Sequence, residues 1–489
     1  MRQVTDIEIK KRYHFDNIWW ETGLEYSSGY ENKRAYFDGV MSLLTEKDIN
    51  RAIVLMGPRR VGKTVLLRQV IENLIKSKDT PPQHILYLSL DNPLFSDIAL
   101  EKLLHFYLEE MSLNHKEKLF IFFDEIQYLK DWEVHLKSLV DSYPAIQFTV
   151  SGSAAAALKL KSQESGAGRF TDFLLPPLSF YEYCKFINFT PTESSEDGIN
   201  LLNKHFVDYI NYGGFPEAVF SDSIKQNFQR FVGQDVVEKV LLRDLPSLYG
   251  ITDPQELYRF FTTIAYNTGE EVSIDKLSKS SGVTKNTIYK YLDFLEAAFL
   301  IKRVKKIDDN FRKFQRTTNF KVYLTNPSLR TALFGPAKPD IDHFGKLVET
   351  AVFAQHMHSF VFDNTYYARW KSGQGEVDLV TLDPEGQPYH IVEIKWSNRM
   401  TVKDFRGLVK LGKNLKKNRM EECLTLMLSK SREESITQEN IPITITPASF
   451  HSYIFSRDYI TIPSFVGLHP ATGTIINADK LMEILKNPI

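Results

Sequence analysis

Apolar positions along this chain fall into two rhythms, and the chemistry sits where one gives way to the other. Ile53-Val54-Leu55-Met56 and Leu119 to Phe123 are continuous apolar runs. Such runs predict strands covered on both faces, as in a parallel sheet. Val65 to Lys76 instead places Leu66, Leu67, Val70, Leu74 and Ile75 on one helical face, and Pro81-Pro82 end it. Ile85 to Leu90 predicts a strand and Ile98 to Met111 a helix. Phe148 to Ser153 is a further strand ending in small polar residues, and Phe173 to Phe180 predicts the last strand and the exit from the sheet. Strands alternating with helices predict an α/β fold with a parallel sheet.

The first strand runs directly into Gly57-Pro58-Arg59-Arg60-Val61-Gly62-Lys63-Thr64, a complete G-x-x-x-x-G-K-[ST], and Val65 then opens the helix. Strand, glycine loop and helix start in this order make a phosphate site: backbone N–H groups of the loop turn inward and the helix adds its positive end. Lys63 is expected to reach the β- and γ-phosphates, and the Thr64 hydroxyl to hold Mg²⁺. The apolar strand ending in Asp124-Glu125 predicts a second metal-holding residue, Asp124, and a residue that polarises the attacking water, Glu125. An N-cap and first-turn acid is the plainer use of that pair, but its place one strand and one helix after the loop favours catalysis. Ser151 and Ser153 suit either γ-phosphate sensing or capping of a helix over Ala154 to Leu160. Arg169 is a candidate for neutralising transition-state charge, within the chain or between subunits, and is otherwise a solvated loop charge.

From Thr190 to Asp197 the chain turns polar, a surface connection. Ile199 to Tyr249 reads as helices broken by Gly213-Gly214 and is expected to form a lid over the nucleotide. Val272 to Leu277 opens a helix, Gly282-Val283 turns, and Thr284 to Leu292 forms a second helix, a helix-turn-helix spacing. Thr284, Lys285, Asn286, Thr287 and Lys290 would face outward with types suited to phosphate and base edges, and Lys302, Arg303, Lys305 and Lys306 would follow as a wing. The same face also suits protein packing or plain solvation.

In the last third, a helix from Gly345 is followed by three strands, at Tyr366 to Trp370, Glu376 to Val380 and Ile391 to Trp396. Helix, strand, strand with Asp378, strand with Glu393-x-Lys395 is the order of the PD-(D/E)xK nuclease core, although Val377 stands where that motif has proline. Glu393 and Lys395, two apart on a strand, share a face. On this reading Asp378, Glu393 and Glu349 hold Mg²⁺ while Lys395 activates water, and Glu376 shares the Asp378 face if the strand is regular. An inert scaffold keeping these residues is the rival. Lys403 to Met420 reads as a basic helix and Asn477 to Lys486 as a terminal one.

Composition narrows the setting. At 489 residues the chain predicts two to four domains, and 43% hydrophobic residues with 25% charged ones describe a globular protein. A net charge of -1 gives no global attraction to nucleic acid or membrane, so any such binding needs local patches. Cys184 and Cys423 are far apart, without zinc or disulfide spacing, and fit a reducing cytoplasm. Neither a signal-peptide core nor an eighteen-residue apolar run is present, so no membrane role is expected.

The runs GPRRVGKT, FFDEIQYL, VSGSAAA, GR before LPPLSFYEY, and YGGFPEAV at Tyr212 to Val219 resemble a large prokaryotic family of AAA-type ATPases whose C-terminal domain has no known function. The resemblance spans nearly the whole chain. It implies an additional-strand core with the phosphate-loop strand central, and ATP as the nucleotide. The combined expectation is an α/β P-loop NTPase core at 1–185, a helical lid at 186–255, a winged helix-turn-helix at 256–335 and a restriction-endonuclease-like α/β domain at 336–489. Its function would be ATP hydrolysis coupled to DNA handling, with Mg²⁺-dependent cleavage at the C-terminal site. The alternative is a nucleotide-dependent switch acting on a protein partner. An oligomer is compatible with either.

Overall fold

The computed structural model describes residues 5–458 apart from 47–49, 79, 96–97, 154–167, 192–194, 309–310, 312–318, 342, 359–363, 371–374, 384–385 and 418–422. The expected helices at Ala154 to Leu160 and Asn477 to Lys486 lie outside the described residues. The chain divides into two compact units, Met1–Leu175 and Pro176–Ile489. No described helix is long and apolar enough to cross a membrane.

The first unit is built on a five-stranded parallel sheet: β1 (Ala52–Met56), β2 (Ile85–Ser89), β3 (Leu119–Asp124), β4 (Ile146–Gly152) and β5 (Phe170–Leu174), in the order β2-β3-β4-β1-β5. Every residue of β1 and β3 is buried, as continuous apolar runs require of strands with two covered faces. The helix Lys63–Ser77 buries Leu66, Leu67, Val70, Ile71, Leu74 and Ile75. Two expectations are corrected. The phosphate-loop strand β1 is interior but not central, since β4 holds the middle. The last strand ends at Leu174, because Pro176 and Pro177 have no N–H to extend a ladder. Edge strand β2 is covered by the N-terminal segment: Asn17 bonds both the N–H and C=O of Tyr87 (2.6 and 2.9 Å), and Trp20 donates to the Ile85 carbonyl at 2.9 Å. These contacts satisfy an edge that would otherwise pair with another chain.

The second unit contains a nine-stranded mixed sheet: β6 (Glu271–Ser273), β7 (Ile301–Lys306), β8 (Asn319–Leu324), β9 (Thr365–Arg369), β10 (Glu376–Leu382), β11 (Pro388–Ile394), β12 (Leu424–Ser429), β13 (Glu434–Gln438) and β14 (Ile441–Pro447), ordered β13-β14-β12-β11-β10-β9-β7-β8-β6. Alternate residues serve opposite faces, as a two-residue period demands. Leu379, Val392, Leu426 and Leu428 pack with the helices Phe344–His356 and Ala448–Asp458, while Val380, Ile391 and Met427 pack with Leu408 and Leu411 of the helix Arg406–Lys417.

This continuity corrects the expected partition. β7 pairs with β9 in parallel, at Lys305↔Tyr366 and Lys306↔Tyr367, so the sheet runs straight across the 335/336 boundary. Nor is 186–255 a separate body. Tyr209 of the helix Glu196–Tyr212 donates to the Leu178 carbonyl and accepts from Asn326 and Gln355, and Asn211 bonds Ala337 and Thr331. This helix is a core element of the second unit.

Candidate functional site

In the first unit the loop after β1 is shaped by what surrounds it. A Cβ at Gly57 would lie 2.2 Å from the Leu175 carbonyl oxygen, so only glycine fits where β1 leaves the sheet. Gly62 has φ +95° and hands the chain to the helix beginning at Lys63. Arg60 is also left-handed, with φ 62°, and the buried Arg34 donates to the Val61 carbonyl at 2.6 Å. The Lys63 ammonium is buried and donates to the carbonyls of Gly57 (3.1 Å) and Pro58 (2.8 Å). Burial pushes its pKa down, and the carboxylates of Glu125 and Asp124 oppose that.

Asp124 ends β3 and gathers the rest. Its Oδ2 accepts from Thr64 at 2.6 Å and from the Tyr87 hydroxyl at 2.7 Å, and its Oδ1 accepts from the Ser151 hydroxyl and from the Glu125 N–H. Glu125 follows in a left-handed conformation, φ 55°, its carboxylate held by the Gln127 amide, whose oxygen accepts from Ser153 N at 3.1 Å. The C-terminal ends of β1, β3 and β4 therefore bring Lys63, Thr64, Asp124, Glu125 and Ser151 together. Arg59 lies within this loop and Val65 directly follows it. Thr64 and Asp124 present two adjacent hard-oxygen donors, a set that fits Mg²⁺. Arg169 does not join them. It stands just before β5, where its carbonyl accepts from Ala52 N at the start of β1, and its guanidinium pairs with Asp141 at 2.9 Å, at the sheet end opposite the loop. Nothing local marks Tyr87 or Arg34 in the sequence, and Gln127, although inside the run FFDEIQYL, has there no sign of its bond to Glu125.

The second unit tells a different story about the C-terminal carboxylates. Glu349, on the helix Phe344–His356, and Asp378, on β10, are both buried. Between them lies the ammonium of Lys321 from β8, 2.8 Å from Glu349 Oε1 and 2.7 Å from Asp378 Oδ1. Tyr323 donates to Glu349 Oε1 at 2.6 Å, Lys346 pairs with Glu349 Oε2 at 2.6 Å, and the Ile394 N–H donates to Asp378 Oδ2 at 3.0 Å. Burial works against the charge on Glu349, but Lys321 and Lys346 outweigh it and hold the carboxyl down at about 2. Burial and then the neighbouring Glu349 push Asp378 up to about 6. Burial pushes Glu393 well above the carboxylate range, with Asp378 and Glu376 adding to the rise, and its Oε2 has no hydrogen-bond partner.

Three expectations about this region are corrected. Lys395 lies beyond the end of β11, and its ammonium pairs with Asp404 instead of facing Asp378 and Glu393. β10 carries a bulge between Val377 and Val380, and Glu376 pairs with Arg369 at 3.4 Å, so the strand is not regular there. Among the described residues no three His, Cys, Asp or Glu side chains converge as a metal ion needs, so Glu349, Asp378 and Glu393 do not fit Mg²⁺. Lys321 and Tyr323 were invisible in the sequence because their partners lie 57 and 26 residues away on other elements.

Residues 49–184 match the family described as "AAA domain", 203–340 match a domain of unknown function (DUF8612) and 344–446 match another (DUF4143). An uncharacterized protein of Haemophilus influenzae is 26% identical over 349 residues, covering 70% of this chain and 81% of its own, and one of Methanocaldococcus jannaschii is 26% identical over 366 residues, covering 73% and 77%. The solved structure of the replication initiator DnaA bound to AMPPCP and single-stranded DNA is 13% identical, covering 56% of this chain and 91% of that one with a TM-score of 0.27, too slight a likeness to bear on function. With the strand order and the loop described above, the match at 49–184 makes the first unit a parallel-sheet α/β domain that resembles the AAA-type P-loop ATPases.

Proposed function

We propose that the first unit binds ATP with Mg²⁺ and hydrolyses it, and that the second unit contacts DNA without cutting it. The observation carrying the first part is the 2.6 Å hydrogen bond from Thr64 to Asp124. It places a helix-start hydroxyl and a strand-end carboxylate together beside Lys63, as a metal–triphosphate site requires. Backbone N–H groups of Gly57 to Val65 would cradle the phosphates, Lys63 would neutralise the β- and γ-oxygens, and Thr64 with Asp124 would hold Mg²⁺, which offsets phosphate charge when bound. Glu125 would orient the attacking water and Ser151 keeps Asp124 in place. Arg169, far from the loop in its own chain, could serve only a neighbouring copy.

DNA contact is supported by the order of elements from Pro254–Tyr266 through β6, Ile274–Ser281, Lys285–Ala297, β7 and β8, which is that of a winged helix. Thr284, Lys285, Asn286 and Lys290 are exposed on it, and Lys285 pairs with Asp275. The helix, three strands, helix and strand from 344 to 429 follow the order of a nuclease-like fold, with no metal-holding set of three His, Cys, Asp or Glu among the described residues. The rival reading, a switch acting on a protein partner, draws on that same missing set.

Two measurements test the proposal. Phosphate release from ATP should require Mg²⁺ and vanish in Lys63→Ala; hydrolysis that survives this change overturns the first part. Duplex affinity measured against salt should fall steeply. Binding that ignores salt, or is absent, favours the protein-partner reading.

A further inference from the structure

We infer that Lys321 is the permanent cation of the carboxylate cluster in the second unit, standing where a divalent ion would sit and fixing β8 to β10 and to the helix Phe344–His356. An ion bound at about 2.1 Å cannot share the space with an ammonium 2.8 and 2.7 Å from the same two oxygens.

Charge gives the same answer. Lys321 and Lys346 bring two positive charges to Glu349 and Asp378, which carry two negative ones, and burial favours the neutral form of the neighbouring Glu393, so the cluster balances without a further cation. Access closes the case. Side-chain exposure is 2% for Lys321, 5% for Glu349 and 3% for Asp378, so neither water-shelled metal nor a phosphodiester reaches the oxygens. Tyr323 donates to Glu349, and the Tyr367 ring lies 5.6 Å from the ammonium. Gly269 also lies close to the cluster, where a Cβ would stand 3.3 Å from the Tyr323 ring and 3.5 Å from Glu349 Oε1. A buried ion pair of this kind is costly to assemble and more costly to halve, which suits a fixed interlock better than a reaction centre. The inference concerns the second unit alone and stands or falls separately from nucleotide hydrolysis.

The test is a Mn²⁺ titration of the full-length, nucleotide-free protein, followed by the electron paramagnetic resonance of free Mn²⁺. Wild type and Asp378→Asn should give superimposable curves, and a binding event in wild type that Asp378→Asn loses overturns the inference. Thermal denaturation supplies the second arm. Lys321→Met should lower the midpoint by roughly 10 °C, and adding Asp378→Asn and Glu349→Gln should recover part of the loss. A Lys321→Met protein as stable as wild type also overturns it. If Lys321→Met yields no folded protein, the Mn²⁺ comparison on wild type and Asp378→Asn still decides.

Discussion

Thr64 and Asp124 meet through a 2.6 Å hydrogen bond although 60 residues separate them in sequence. The contact joins the first turn of one helix to the end of the strand two places away in the sheet, so the proposed metal-holding pair depends on β4 keeping β1 and β3 in register. Asp124→Asn keeps the shape but removes the charge. Turnover of ATP is expected to fall below detection, while the folded protein's thermal midpoint stays within a few degrees of wild type.

Glu125 is held by Gln127, which is tied in turn to Ser153. Glu125→Gln should lower turnover by roughly 10²- to 10⁴-fold, the usual span for a positioned base, with ATP affinity retained in calorimetry. Equal loss of binding and turnover would mean that Glu125 shapes the loop instead.

Tyr87 donates to Asp124 from the edge strand at 2.7 Å. Tyr87→Phe removes one hydrogen bond to a charged group, about 1.5 to 3 kcal/mol. The Mg²⁺ concentration for half-maximal activity should rise about tenfold or more, with little change at saturating metal. An unchanged Mg²⁺ requirement would remove Tyr87 from the positioning of Asp124.

His356, His390 and His451 are buried together beside Phe455. Burial pushes His390 down to about 3 and His451 to about 4, and holds His356 far below its ordinary range. The native state keeps them neutral while an unfolded chain protonates them near 6.5, so their stabilising effect is complete above that pH and lost as pH falls toward 4. Urea midpoints should drop between pH 6.5 and 4.5, each histidine adding about 1.4 kcal/mol per pH unit. His451→Phe should flatten that slope; an unaltered slope would assign the acid sensitivity to other groups.

Gly407, on the helix over β10, has no room for a side chain, since a Cβ would lie 1.9 Å from the Glu376 carbonyl oxygen. Gly407→Ala should cost about 1 to 3 kcal/mol, the range for overpacking, read as a lower urea midpoint at unchanged slope.

The fold of the first unit is legible in the sequence because its strands are unbroken apolar runs and each ends in a marked segment: the loop from Gly57 to Thr64 follows β1, and Asp124 closes β3. The exit strand was displaced because Asp172 interrupts the apolar pattern of β5 while Phe173 to Leu175 continues it toward the prolines. In the second unit the spacing of Glu393 and Lys395 implied a shared face, yet β11 stops at Ile394 and releases Lys395 toward Asp404. Lys321 sits within the short strand Asn319–Leu324, and no periodicity tells that a lysine there is buried. Its partners are chosen by tertiary packing, which local pattern does not encode.

The two rungs linking Lys305 and Lys306 to Tyr366 and Tyr367 join β6, β8 and β7 to the six strands from β9 to β13 in one sheet. Lys321, reaching from β8 to Asp378 on β10, stitches a second tie across that join, so the two groups of strands are held by a side chain as well as by their ladder.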